Sequence, residues 1–152
     1  MTNNHTTASE VVAALAERIA SISRPNGFET DIGLRLFRGR RAVDESAVPC
    51  SVLIEGDDSV LDQTGRLPVV KLRQRYVLAA YVACDANNPN DAAHAAIRDL
   101  KRAIFGGAPN LGGKVLVVTY QGRDIGPRAD GVPVVFVTVE IDVDYVEDLR
   151  NP

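Results

Sequence analysis

The chain has 152 residues, 45% of them hydrophobic and 24% charged, which excludes a disordered ground state and suits one globular domain. Its net charge of −3 lacks the basic surplus with which free-standing nucleic-acid binders neutralise phosphates. Aromatics at 5% with no Trp leave little for a stacking platform. No apolar run approaches the ~20 residues of a membrane-spanning helix, and the first residues lack the basic and apolar regions of a signal peptide. Two cysteines, Cys50 and Cys84, are too few for a disulfide framework, so synthesis in the cytoplasm with reduced thiols is expected.

Residues 1–8 read as a flexible tail and 9–150 as a single α+β domain. Ser9 is placed to cap a first helix, with Glu10 in its positive first turn. Val11, Val12, Leu15, Ile19 and Ile22 recur at helical spacing, and Pro25-Asn26-Gly27 stops the helix. Ile32, Leu34 and Leu36 alternate with Gly33 and Arg35, which predicts a strand over 29–37. A charged connection, Arg38 to Val48, leads to a second strand, Cys50 to Glu55, ended by Gly56-Asp57-Asp58. A polar loop is expected to run on to Pro68.

A long β-rich run, Val69 to Ala83, follows. Asn87-Asn88-Pro89-Asn90 separates it from a helix over 91–105, with Ala93, Ile97, Leu100 and Ile104 on one face. Two glycine pairs, at 106–107 and 112–113, bracket a loop. Lys114 to Tyr120 reads as a strand, Gln121 to Gly131 as a loop, and Val132 to Val146 as the final strand. The pattern predicts a mainly antiparallel sheet with two helices on one face. Each long strand would span about 50 Å if straight, against a domain diameter of roughly 40 Å. Bulges must bend them, or a long β-hairpin must project.

Candidate chemistry is sparse. His5 and His94 have no Cys, Asp or Glu at metal-ligand spacing and read as surface side chains. Cys50 and Cys84 lie in or beside apolar runs with no adjacent base and read as small buried hydrophobes. Glu55-Gly56-Asp57-Asp58 resembles a nuclease carboxylate turn, but the next strand lacks the acid two residues before Lys71, so a solvated turn is the better account. Residues two apart on a strand share a face, so Glu140, Asp142 and Asp144 form an acidic ladder while Val139, Ile141, Val143 and Tyr145 face inward. Lys71, Arg73 and Arg75 form a matching basic ladder. Charge pairing across the sheet or between subunits explains both ladders better than a metal does. Neither glycine-rich loop has phosphate-binding spacing, and there is no Ser-centred elbow. No catalytic centre, cofactor or metal is expected.

The order of segments resembles the tail terminator (tail completion) proteins of long-tailed bacteriophages, the lambda-type minor tail proteins. The features that carry it are the amphipathic N-terminal helix, Asn26-Gly27-Phe28 leading into Thr30-Asp31-Ile32-Gly33, Arg38-Gly39-Arg40, and the run Val48 to Asp57. The second helix, Ala92 to Phe105, and a last strand ending Val143-Asp144-Tyr145 complete it. The resemblance implies a sheet with flanking helices and a non-enzymatic virion protein. It further implies a hexameric ring that caps the head-proximal end of the tail tube, stops polymerisation and offers the head-joining surface. The implied partners are the tube protein, a head connector, and DNA passing through without sequence-specific contact; no membrane is involved. Arg38, Arg40, Arg41, Arg123 and Arg128 lie in the long connections. Singly each reads as a solvated charge; as a set they suit acidic partner surfaces or that DNA. A different neck or head-completion protein, or a small metal-dependent hydrolase using Asp57, Asp58, Asp142 or Asp144, are the alternative readings.

Overall fold

A computed structural model describes residues 6–39, 42–63, 65, 68–129 and 131–152. Helix α1 (Ala8–Ala20) opens the chain and helix α2 (Pro89–Phe105) lies between the two longest strands. The strands are β1 (Leu36–Arg38), β2 (Cys50–Asp62), β3 (Val69–Ala83), β4 (Val117–Ile125) and β5 (Val134–Asp148). They form one open sheet in the order β1-β2-β3-β5-β4. Among the described residues only the short β1–β2 contact is parallel. The fold is therefore α+β, with α2 packed against β5.

The cap of α1 is Thr7, not Ser9. Thr7 Oγ1 accepts from Glu10 N at 3.2 Å, and Glu10 Oε2 accepts from Thr7 N at 3.1 Å. This reciprocal pair satisfies two otherwise orphaned donors. The end of the expected tail is engaged as well: Thr6 N donates to Val146 O at 3.2 Å and Thr6 Oγ1 to Lys114 O at 2.6 Å.

The helix faces read from periodicity are the buried ones. Val11, Val12, Leu15 and Ile19 of α1 join Ala93, Ile97, Leu100 and Ile104 of α2 in one core. Val70, Leu72, Tyr76, Leu78, Ala80 and Val82 of β3 line the same core, as do the odd-numbered residues from Val135 to Tyr145 of β5. Tyr76 and Tyr145 are its largest fully buried side chains.

Three local expectations are corrected. The predicted strand over 29–37 shrinks to β1, because Ile32–Leu34 forms a 3-10 turn. There Gly33 donates to Ile22 O at 2.9 Å, and an added Cβ would meet Ile22 O at 2.6 Å. The glycine lets this turn lie directly on the end of α1. Secondly, β2 does not stop at Gly56-Asp57-Asp58 but runs to Asp62. The turn-forming residues are absorbed as a bulge, with a register shift between Glu55 and Asp58 opposite β3. Thirdly, β4 starts and ends later than expected, and residues 121–125 belong to it. Besides a further shift in β2 between Val60 and Asp62, a bulge at Tyr120/Gly122 places Gly122 at φ +137, a conformation that a side chain disfavours.

The two 15-residue strands solve the length problem together. β3 and β5 pair without a single register shift, from Val69↔Asp148 to Ala83↔Val134. The irregularities fall on the outer strands β2 and β4 instead. Residues 55–62 of β2 are exposed along their whole length.

Candidate functional site

The two charge ladders meet on the sheet face turned away from the helices. Asp144 lies opposite Arg73 and Asp142 opposite Arg75 in the β3–β5 register. Arg73 donates Nε to Asp144 Oδ1 at 2.9 Å and Nη2 to Asp144 Oδ2 at 3.0 Å, a bidentate pair. Arg75 donates Nε to Asp142 Oδ1 at 3.1 Å. The ladders thus pair within one chain.

The pairing is lopsided in exposure. Asp142 and Asp144 are buried, while the side chains of Arg73 and Arg75 remain 44% and 50% exposed. The arginine stems cover the carboxylates and leave the outer guanidinium edges in water. Hydrogen bonding to Asp144, then its charge, raises the Arg73 pKa. The same two causes, from Asp142, raise that of Arg75. Lys71 and Glu140 belong to the ladders by register but form no ion pair with another described residue.

The bulge in β2 brings Asp57, Asp58 and Ser59 beside this face. With Arg73, Arg75 and Asp142 they line an open cleft of about 270 Å³. Acids and bases alternate in it, and the deep carboxylates already carry guanidinium partners. A divalent cation would have to displace an arginine from Asp142 or Asp144. Among the described residues no group of three or more His, Cys, Asp or Glu is placed to hold a metal.

The arginines of the connections do not form one patch. Arg38 ends β1 at one side of the sheet, and Arg123 lies in β4 at the other. Four strand spacings, roughly 19 Å, separate those edges. Both side chains are exposed. Arg128 is used internally: it donates to Val132 O at 2.5 Å, Ala129 O at 3.1 Å and Ala86 O at 3.2 Å. It fastens the turn after β4 to the turn after β3. Arg40 and Arg41, like His5, lie outside the described residues. His94 is exposed on α2, Cys50 is buried and Cys84 half-buried.

Sequence patterning missed one polar centre. Asp99, on the inner face of α2, is wholly buried. Its Oδ2 accepts from Thr30 N and Thr30 Oγ1, each at 2.7 Å, and its Oδ1 from Glu29 N at 3.1 Å. Around this latch Arg98 pairs with Glu29 at 2.6 Å, and Arg102 lies over the Phe28 ring at 4.8 Å. The signal available was an acid recurring on the apolar face of α2, three residues before Arg102 and one before Leu100. In a comparison with known proteins, the chain matches no family model and no curated sequence.

Proposed function

We propose that this chain is a structural virion protein that assembles as a ring on the head-proximal end of a phage tail tube. There it stops tube growth and provides the head-joining surface. It performs no catalysis and takes no cofactor. Its partners are copies of itself, in a hexamer, the tube protein and a head connector, with DNA passing through the ring.

The observation that carries this reading is the two-sidedness of the sheet. Both helices cover one face, and the other presents the Arg73–Asp144 and Arg75–Asp142 rungs. A terminator must bind a tube end on one side and refuse the next tube ring on the other. A subunit with unlike faces, closed into a ring by a heterologous contact, supplies that polarity, whereas a two-fold dimer would present like faces outward. The α+β architecture also agrees with what the family resemblance implies, which is support by analogy. The hydrolase alternative loses weight because guanidiniums occupy Asp142 and Asp144, two of the four carboxylates it would use.

The test is to add the purified protein to growing tubes of a phage tail tube protein. Electron microscopy should show capped ends, and growth should stop. A neck protein would bind the connector and leave tube growth unchanged. Calorimetry with magnesium, manganese, zinc or calcium addresses the hydrolase: micromolar binding abolished by Asp142→Asn would overturn the structural reading. So would a protein that neither caps tubes nor occurs in virions.

A further inference from the structure

We infer that the two free strand edges of this sheet join copies of the chain head to tail, residues 54–62 of β2 in one copy pairing with β4 of the next. The inference deepens the ring reading and rests on it for closure. Four observations carry it.

The first is strand direction. β2, β3, β5 and β4 are successively antiparallel, so the two outer members run in opposite senses. A second copy set beside the first in the same orientation brings β2 against β4 antiparallel and continues the alternation. Among the described residues β1 covers β2 only at residues 51–53, and no other described strand pairs along the rest of that edge.

Charge selects this arrangement over its rivals. Residues 54–62 carry Glu55, Asp57, Asp58 and Asp62 and no base. A two-fold β2–β2 contact would set acids against acids. At the other edge stand Arg123, Lys114 just before β4, and Lys101, held 4.7 Å over the Tyr120 ring. Asp124 is the one acid in that strand.

The charges also fall on the same face. Glu55 and, past the bulge, Asp58 lie opposite Tyr76 and Gln74 in register, on the helix side of the sheet, although Asp58 also borders the cleft of the other face. Tyr120 and Arg123 lie opposite Ile141 and Val139, on that same side. A continuous sheet would therefore bring the acids of one copy beside the bases of the next.

Apolar exposure marks the same two edges. The large hydrophobic side chains exposed among the described residues include Val60 and Leu61 at one edge and Leu116, Val117 and Tyr120 at the other. Bulges and charges guard an edge against indiscriminate pairing. Here the guard on β2 has its electrostatic complement on β4. Neither strip is long, β4 having 9 residues, so assembly follows concentration or a template.

The test uses the full chain with Cys84→Ser, in two pools, one carrying Ser59→Cys and the other Thr119→Cys. Both positions are exposed. The pools are mixed at millimolar concentration and treated with a short bismaleimide. Cross-linked dimer in the mixture, several-fold above either pool alone, is expected, and Arg123→Glu should reduce it. A second pair, Leu61→Cys with Val117→Cys, repeats the test on another rung. Cross-linking within the Ser59→Cys pool or within the Thr119→Cys pool to the level of the mixture would overturn the head-to-tail pairing, as would no cross-link in either pair. Tube capping without any cross-link would leave the terminator reading standing and defeat this one; cross-linking without capping would do the reverse.

Discussion

Replacing Asp99 by Ala removes the acceptor that ties residues 29–30 to α2. Three donors lose their partner: Thr30 N and Thr30 Oγ1, both buried, and the half-buried Glu29 N. Stranding a buried donor costs about 1–3 kcal/mol. Water reaches the Glu29 amide at little cost, so the two Thr30 groups dominate and the expected loss is about 4 kcal/mol. For a domain of this size each kcal/mol lowers Tm by about 2–4 °C, which gives a drop of about 12 °C. Urea unfolding followed by circular dichroism measures the loss directly, provided the slope is unchanged. Thr30→Val alone should cost about 1 kcal/mol, and the double variant less than the sum, because the hydroxyl needs the acceptor. Arg98→Ala, which breaks an exposed pair with Glu29, should cost under about 1 kcal/mol. An Asp99→Ala loss as small as that of Arg98→Ala would refute the reasoning, since water would then have taken over the carboxylate's work.

Arg73→Asp should lower the urea midpoint, and adding Asp144→Arg should recover part of the loss; strictly additive losses would show that the rung does not pair. Raising the salt concentration should weaken the native rungs less than it weakens the exposed Arg98–Glu29 pair, because both ladder carboxylates are buried. Burial pushes the Tyr145 phenol from 10.0 up to about 12, and raises that of Tyr76 as well. The unfolded chain then releases these protons first, so stability holds below pH ~10 and falls as pH rises through the folded values. Phenolate absorbance during alkaline titration should rise with unfolding, and Tyr145→Phe should flatten the slope; an unchanged slope would sink the assignment. Gly33→Ala should cost about 1–3 kcal/mol by urea unfolding, since its methyl would be driven into the Ile22 backbone.

Periodicity alone determined much of this protein. The apolar stripes of α1 and α2, the inward row from Val139 to Tyr145 and the outward row Glu140-Asp142-Asp144 are where their spacing puts them, because a helix or strand has one repeat and one core to satisfy. The match of acidic and basic ladders was legible for the same reason. What the sequence did not determine was which competing local preference would yield. Gly56-Asp57-Asp58 has the composition of a turn, yet β3 offers it a ladder of backbone partners, and a bulge takes in the extra residue. Ile32, Leu34 and Leu36 alternate like a strand, yet Gly33 lets the backbone dock on α1 and a 3-10 turn results. Asp99 is an acid on the apolar face of α2, and becomes the buried acceptor of Thr30 because residues distant in sequence are folded against it. Arg128 reads as a loop cation, and tertiary structure turns it inward onto three carbonyls. Short-range pattern records what each segment prefers; partners far along the chain supply hydrogen bonds and burial whose free energy exceeds those preferences.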